Sequence, residues 1–225
     1  MENLIQMFEV RVHGRGGQGV VTAAELLSIA AFDEGHHAQA FPSFGSERTG
    51  APVVSFCRIA DVPIRTREPI AAPDALIVQD PTLLHQVDVF GGVGPDGYIL
   101  INSGRSFEEL GLGEFAEKFR RERLLTVPAS EIARRHLGRP LPNAALLGGF
   151  AALTRVLRLG SVTAAIGERF HGSSRKGNID AAEAPMQTES AANSDSTVTY
   201  SQGASVPSRT RSESPSTMWV WGEIG

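Results

Sequence analysis

The chain has 225 residues, of which 41% are hydrophobic and 20% charged, and its formal net charge is −4. This size suits one α/β domain with a sizeable core, and the acidic balance argues against nucleic acid as a partner. The one cysteine, Cys57, excludes an internal disulfide, a four-cysteine iron–sulfur site and a structural zinc cluster. The N-terminus lacks the pattern of a secretory signal, and no apolar run reaches the roughly 20 residues that span a bilayer, so we expect a cytoplasmic protein without a membrane segment.

The first predicted elements are a strand, a glycine-rich turn and a helix in immediate succession. Alternating apolar residues predict the strand over 8–13, and helical spacing predicts the helix over 19–34. The turn, called the glycine corner below, consists of Gly14, Arg15, Gly16, Gly17, Gln18 and Gly19. It fits the pattern G-x-G-x-x-G. Such a turn directs free backbone N–H groups and the positive end of a helix dipole at one point, which favours an anion there.

Strands and helices continue to alternate as far as residue 170. Further strands are predicted over 36–41, 52–59, 75–80, 97–103 and 123–129, and further helices over 82–89, 106–119, 130–138, 143–160 and 161–170. Ser130 is the predicted N-cap of the helix over 130–138 and Ser161 that of the helix over 161–170, and Gly148-Gly149 indicates close packing of a buried helix. Repeated βα units predict an α/β fold, a three-layer Rossmann-like domain with a mainly parallel sheet, over residues 1–185.

The composition changes after residue 185. Residues 186–225 are rich in Ser and Thr, and both tryptophans, Trp219 and Trp221, stand near the end of this segment. The segment cannot bury enough apolar surface to offset the entropy of ordering, so the sequence predicts a disordered tail. Its tryptophan-containing end is open to two interpretations, a loose terminus or a peptide that anchors on a partner.

The function of the glycine corner stays open at this level. A nicotinamide or flavin site adds an acidic residue at the end of the second strand, but residues 39–42 read Gln-Ala-Phe-Pro. The Lys-Ser or Lys-Thr of an ATPase P-loop is also missing. Arg15 is a candidate partner for a phosphate or carboxylate, and Gln18 a candidate hydrogen-bond partner for a ligand or a neighbouring chain. Structural packing and anion binding both agree with the pattern.

A second candidate segment is SFGSERTGAP, residues 43–52. Its candidate site residues are Ser43, Phe44, Gly45, Glu47 and Arg48. One interpretation is an exposed βα loop with an internal Glu–Arg pair. Because the segment follows the second strand, we also expect it at the same sheet edge as the glycine corner, where two loops form a crevice or a docking face. We predict no catalytic or metal-binding set of residues anywhere in the chain.

Two motifs in this order, VHGRGGQGVVTAAELLSIAA and FPSFGSERTGAPVVSFCRI, resemble the gamma subunits of pyruvate:ferredoxin oxidoreductases, within the 2-oxoacid:acceptor oxidoreductases. The resemblance covers residues 8–184. It implies a subunit of a complex that oxidatively decarboxylates a 2-oxoacid, pyruvate as first choice, to an acyl-coenzyme A and passes electrons to ferredoxin. It further implies thiamine diphosphate, Mg²⁺ and iron–sulfur clusters on alpha, beta and delta partner subunits, with none bound by this chain alone.

The same resemblance places the glycine corner and residues 43–48 at the active-site region between subunits. There they contact coenzyme A or only the alpha and beta chains, and both alternatives stay open. Two other function classes also stay open, a stand-alone Rossmann-type nucleotide-binding oxidoreductase and a non-catalytic scaffold subunit. The tail at 186–225 departs from the family pattern, in which gamma subunits stop shortly before it.

Overall fold

The computed structural model describes residues 6–43 and 49–192, with side chains as far as residue 185. Its strands are β1 (Phe8–Arg15), β2 (His37–Pro42), β3 (Pro52–Ala60), β4 (Ala75–Val78), β5 (Tyr98–Asn102) and β6 (Leu124–Val127). Its α-helices are α1 (Val20–Asp33), α2 (Gly113–Ala116), α3 (Ala129–Leu137), α4 (Asn143–Thr154), α5 (Leu159–Arg169) and α6 (Ser173–Ala192). Short 3₁₀ helices span Pro81–His85 and Arg121–Arg123.

The strands form one sheet in the order β2-β3-β1-β4-β5-β6. The pairs β1–β4, β4–β5 and β5–β6 are parallel, whereas β3 runs antiparallel to both β1 and β2. Only β3 is reversed among these strands, so the predicted α/β class with a mainly parallel sheet is confirmed. One unit is corrected: the strand that follows β2 in the chain is β3, its antiparallel neighbour, so the connection after β2 is not that of a parallel βα unit. This connection is shorter than the dozen or so residues that a parallel crossover needs.

The inner strands have apolar side chains on both faces, which produces three layers. Ile77 and Leu100 belong to the core between the sheet and the long helices α1, α3, α4, α5 and α6. Leu76 and Ile99, one residue earlier on the same strands, belong to a second core that includes Phe107. Because successive side chains of a strand point to opposite faces, the apolar side chains of β4 are buried on both faces of the sheet. This is typical of the inner strands of parallel sheets.

Both predicted serine N-caps are wrong. Helix α3 begins at Ala129, and Ser130 lies inside its first turn. The carboxamide of Asn102, at the end of β5, accepts the Ser130 N–H at 3.1 Å and donates to the Ser130 hydroxyl at 2.8 Å. Ser161 likewise lies within α5, which begins at Leu159. At α3 the cap comes from a side chain 28 residues earlier, so the local pattern could not reveal it.

The predicted helix over 143–160 is divided in the structure. It ends at Thr154, because Arg155 adopts a left-handed conformation with φ 55°, and α5 starts four residues later. The close packing predicted for the Gly148-Gly149 pair is confirmed at Gly148, where a β-carbon would overlap the carbonyl of Ala182 in α6. Two helical backbones therefore touch at a position that admits glycine only.

Helix α6 continues to Ala192, so residues 186–192 of the predicted tail are helical. The rest of that tail, including Trp219 and Trp221, lies outside the described residues, as do Phe44, Gly45, Glu47 and Arg48. Within the described ranges, every helix is too short or too polar to cross a membrane.

Candidate functional site

The glycine corner has the predicted strand–turn–helix geometry. Gly17 and Gly19 have φ angles of 93° and 76°, in the left-handed region, and Gly19 is the N-cap of α1. A β-carbon on Gly14 would lie 2.6 Å from a methyl group of Val20. Two glycines therefore allow the backbone to turn, and a third lets the helix approach the strand.

The N-terminus of α1 is open at this corner. Gly19 supplies no side-chain cap, and the first turn contains no acidic residue. The first N–H groups of an α-helix have no acceptor within the helix and carry its positive partial charge. The glycine corner thus presents backbone donors to whatever lies in front of α1.

Arg15 makes its hydrogen bonds within the chain. Its Nε donates to Oδ2 of Asp80 at 3.1 Å, and its Nη1 donates to the carbonyl of Gly50 at 3.0 Å. Its Nη2 donates to the Thr82 hydroxyl at 2.7 Å and to Oε1 of Gln86 at 2.8 Å. Every guanidinium nitrogen therefore has an acceptor, and Arg15 connects the corner to the loop before β3 and to the 3₁₀ helix at Pro81–His85.

Gln18 and Asp80 complete this network. Gln18 accepts the Arg15 N–H at 2.8 Å and donates to Oδ2 of Asp80 at 2.9 Å, while the Thr82 N–H and hydroxyl donate to Oδ1. Burial alone would raise the pKa of Asp80, but hydrogen bonds from Thr82 and Gln18 and the charge of Arg15 lower it below its ordinary value. Asp80 is not among the site residues predicted from the sequence; its position after β4, before a proline, was the available signal.

The structure brings the connection between β2 and β3 to the glycine corner. The Gly16 N–H donates to the carbonyl of Ala51 at 2.9 Å, and the Gly50 N–H donates to the carbonyl of Gly16 at 3.1 Å. Thr49 forms a β-bridge with Gly16. Ser43 is exposed at the other end of the connection and donates its N–H to Val54. The described residues Thr49 to Ala51 of the second candidate segment therefore lie at the same sheet edge as the glycine corner.

On its helical side, the glycine corner borders an open cavity of about 140 Å³. The lining residues are Gly17, Gly19, Thr22, Arg139, Leu141, Asn143, Arg169, Phe170 and Asn178. Arg139 and Arg169 are not among the site residues predicted from the sequence. They lie about 120 to 150 residues after the corner, so no local pattern connects them to it.

The buried titratable groups are unsuited to acid–base or nucleophilic chemistry. Burial, together with the charge of Arg11, lowers the pKa of His13 to about 4, so its ring is neutral at neutral pH. Burial raises the pKa of the Cys57 thiol to about 12. In residues 6–43 and 49–192, no three His, Cys, Asp or Glu side chains are grouped so that they could hold a metal ion.

The sheet order also differs from that of a dinucleotide-binding unit. There, the strand after the first helix runs parallel beside the first strand and carries the acidic residue that holds the ribose. Here the reversed strand β3 occupies the place beside β1, and β2 lies one strand further out. The sequence lacks the acidic residue that would bind the ribose, and the fold lacks the parallel strand beside β1 from which such a residue would project.

Comparison with known proteins gives a match to the family described as pyruvate ferredoxin/flavodoxin oxidoreductase, over residues 9–188. The common subunit gamma of the pyruvate/ketoisovalerate oxidoreductases of Thermococcus kodakarensis is 47% identical over 79% of this chain and 94% of its own. The pyruvate synthase subunit PorC of Methanosarcina barkeri is 49% identical over 71% of this chain and 85% of its own.

Solved structures share the fold. Pyruvate oxidoreductase subunit PORC from Thermotoga maritima is 32% identical, with a TM-score of 0.68, over 81% of this chain and 96% of its own. The 2-oxoglutarate:ferredoxin oxidoreductase from Magnetococcus marinus has a TM-score of 0.67 over 83% of this chain and 31% of its own. At 17% identity, the second likeness concerns the fold alone.

Proposed function

Because this chain belongs to the pyruvate ferredoxin/flavodoxin oxidoreductase family, we propose that it is the gamma subunit of a multi-subunit 2-oxoacid:ferredoxin oxidoreductase. The complex oxidatively decarboxylates a 2-oxoacid to an acyl-coenzyme A and passes the electrons to ferredoxin. The observation that carries this proposal is the family match over residues 9–188, which covers nearly all described residues. Curated relatives of 47% and 49% identity, a subunit gamma and a PorC subunit, support it.

Pyruvate is the substrate that we propose. Both of these relatives have pyruvate in their names, and one of them has ketoisovalerate as well. The choice among 2-oxoacids is assigned mostly to the other subunits.

The residues of this chain do not fit a redox or thiamine centre. Its one cysteine, Cys57, is fully buried in the core, and the described residues contain no group of potential metal ligands. We therefore assign thiamine diphosphate, Mg²⁺ and the iron–sulfur clusters to the alpha, beta and delta subunits. Ferredoxin receives its electrons from the complex.

The proposed role of this chain is therefore to bind and position coenzyme A or the partner chains. The free N–H groups at the start of α1 are proposed to contact the pyrophosphate of coenzyme A, because they carry a positive partial charge and lack a side-chain cap. The segment that contains Phe44, Gly45, Glu47 and Arg48 is proposed to contact coenzyme A or the alpha and beta chains. Arg15 acts as a positioning residue, since its guanidinium already bonds to Asp80.

A substrate panel on the assembled complex tests the proposal. The chain is co-expressed with alpha, beta and delta chains of the same oxidoreductase, and reduction of ferredoxin is measured with pyruvate, 2-oxoisovalerate and 2-oxoglutarate, each with and without coenzyme A. We expect the highest kcat/KM with pyruvate and no acyl transfer when this chain is omitted. A complex equally active without this chain contradicts the function, and a preference for another 2-oxoacid contradicts the substrate.

The positioning role of Arg15 is tested in the same complex. Arg15→Ala is compared with Arg120→Ala, whose exposed side chain pairs with Asp96 at the surface. We expect Arg15→Ala to raise the KM for coenzyme A about tenfold and to lower kcat less, because it displaces the corner without removing a reacting group. An unchanged KM for coenzyme A in Arg15→Ala contradicts the role.

A further inference from the structure

A cavity of about 90 Å³ lies at the edge of the sheet that β6 forms. It is called the edge cavity below. Its walls come from four elements, and its principal lining residues are Leu125 and Val127 of β6, Ile132 of α3, Ala152 of α4 and Pro185 of α6. None of the described residues that line it is charged. A recess of this composition favours an apolar side chain over an ion.

The strand beside this cavity, β6, has one free edge. All four residues of β4 and all but one of β5 are buried, whereas Leu124, Leu125 and Thr126 of β6 are only half-buried. The Val127 carbonyl accepts the Ser103 N–H at 2.9 Å, next to the pairing of β6 with β5. Because backbone groups alternate between the two sides of a strand, the N–H and C=O of Thr126 point away from β5. A free edge without charged side chains is a template for a further strand.

The chain itself leads from this cavity to an apolar segment. Pro185 lies in the cavity wall, and α6 ends at Ala192, about 10 Å further along the helix axis. Residues 193–217 then separate α6 from Met218-Trp219-Val220-Trp221, called the apolar run below. A relaxed linker of about 25 residues spans roughly 30 Å. The linker is therefore long enough for the apolar run to return to the edge cavity.

The apolar run has the composition and the spacing of a strand that fits β6. Valine and tryptophan favour strands, and alternate residues of a strand lie on one face, so Trp219 and Trp221 would share a face. Leu125 and Val127 have the same spacing on β6, and both belong to the core on the helical side of the sheet. A strand added beside β6 thus brings the two indoles next to these two side chains, as cross-strand pairs.

We propose that the apolar run, residues 218–221, adds to the free edge of β6 as a further strand, with Trp219 and Trp221 facing the edge cavity. The backbone of Thr126 bonds to the added strand, and the apolar walls of the cavity bury indole surface. Because the occupant is tethered to α6, its effective concentration is of millimolar order, so a small recess suffices.

The docked segment lies outside the part of the chain that matches the family, which ends at residue 188. The proposal therefore concerns a feature of this chain and does not rest on the function proposed above. Docking would cover the free edge of β6, which otherwise remains open to pairing with another chain.

Tryptophan fluorescence of the full-length chain tests the docking, because Trp219 and Trp221 are its only tryptophans. The reference is a synthetic peptide of residues 214–225, whose indoles are exposed to water. We expect the chain to emit at a shorter wavelength than the peptide and to be quenched several-fold less by acrylamide. Ala152→Glu places a charge in the cavity wall, and Thr126→Pro removes the outward N–H. Both variants should restore the values of the peptide.

Ala164→Glu is the matched control. Ala164 is exposed on α5 and is not one of the residues that line the edge cavity, so this variant should keep the wild-type emission. Circular dichroism checks the fold of each variant.

Binding of the peptide in trans keeps the proposal testable even if a cavity variant fails to fold. The full-length variant Trp219→Ala/Trp221→Ala has a vacant edge cavity if the proposal holds. Fluorescence anisotropy of a fluorescein-labelled peptide of residues 214–225 measures the binding. We expect the peptide to bind this double variant and to bind wild type about tenfold or more weakly, because the tethered run of wild type competes for the cavity. Equal binding to both chains, or binding to neither, overturns the proposal.

The fluorescence outcomes also distinguish the possible occupants. Wild-type emission equal to that of the peptide overturns the proposal, and so does a shifted emission that both cavity variants leave unchanged. A shift that grows with chain concentration, together with a dimer in sedimentation, assigns the cavity to a second copy and overturns docking within one chain. A shift that appears only after partner subunits are added overturns it as well. None of these measurements uses oxidoreductase activity, so a failure here leaves the proposed function intact.

Discussion

Nε of Arg15 lies 3.1 Å from Oδ2 of Asp80, and this ion pair joins two loops that are 65 residues apart in sequence. The side chains of Arg15 and Asp80 are 22% and 13% exposed, so the pair is only partly screened by water. The same carboxylate oxygen of Asp80 also accepts a hydrogen bond from the side chain of Gln18. The shape of the glycine corner therefore depends on a residue that follows a different strand.

Asp80→Asn should lower the free energy of unfolding by about 1–3 kcal/mol, because it weakens a charged acceptor that serves several partly buried donors. The matched control is Asp96→Asn, whose pair with Arg120 is mostly exposed and which should change stability by less than about 0.5 kcal/mol. Both values come from urea denaturation at neutral pH. Equal losses in the two variants would contradict a special role for Asp80.

Stability should fall as the pH is lowered from 6.5 towards about 4, because of His13. Burial lowers the folded-state pKa of His13 from 6.5 to about 4, so between these values the unfolded chain binds a proton that the folded chain does not. The loss at the lower end is up to about 3 kcal/mol. Urea denaturation across this range measures it. His13→Gln should flatten the dependence and the exposed His136→Gln should not; a slope that His13→Gln leaves unchanged counts against this assignment.

Asp80 acts mainly at lower pH. Its folded-state pKa lies below the ordinary value of 3.8, so its contribution is fully present well above that pH and is lost as the pH falls through the folded value. The contributions of His13 and Asp80 overlap only between about pH 5 and about pH 4, where the unfolded carboxyl begins to bind protons. Asp80→Asn should leave the slope between pH 6.5 and about pH 5 unchanged.

Gly148→Ala should destabilise the fold by about 1–3 kcal/mol, because the new methyl group overlaps the backbone carbonyl of Ala182 and forces α4 and α6 apart. Gly160→Ala in α5 is the matched control. No heavy atom lies within 4 Å of its added β-carbon, so it should be neutral or stabilising by up to about 1 kcal/mol. Thermal denaturation of both variants tests the contrast, and a loss of the same size at Gly160 would argue against the helix contact as the cause.

The Cys57 thiol should resist labelling in the folded chain. It is fully buried, and burial raises its pKa to about 12, so almost no thiolate is present at neutral pH. Ellman's reagent should react with less than one thiol per chain under native conditions and with one thiol in denaturing urea. Rapid labelling without denaturant would show that β3 opens or that the core differs from the structure described.

The first unit of the fold could be predicted because its signals are local. The alternation in β1, the glycines at 14–19 and the helical spacing in α1 lie within 28 residues, and their order alone indicates a tight corner with an open helix N-terminus. The reversal of β3 could not be predicted, because a strand looks the same in either direction. It depends on the pairing of β3 with β1, which brings residues between 37 (Arg15 and Pro52) and 51 (Phe8 and Ile59) positions apart into register.

The sequence by itself determined the α/β class, the glycine corner with its free backbone donors, and the absence of cysteine for any cluster on this chain. Tertiary structure decided which arginine side chains are already engaged. The sequence indicated Arg15 as an anion partner, but Asp80 and its neighbours occupy that guanidinium, whereas Arg139 and Arg169, near the corner, form no side-chain hydrogen bond or ion pair with the described residues. The physical reason is that a side chain's availability depends on which partners the fold brings within hydrogen-bond distance, and those partners come from anywhere along the chain.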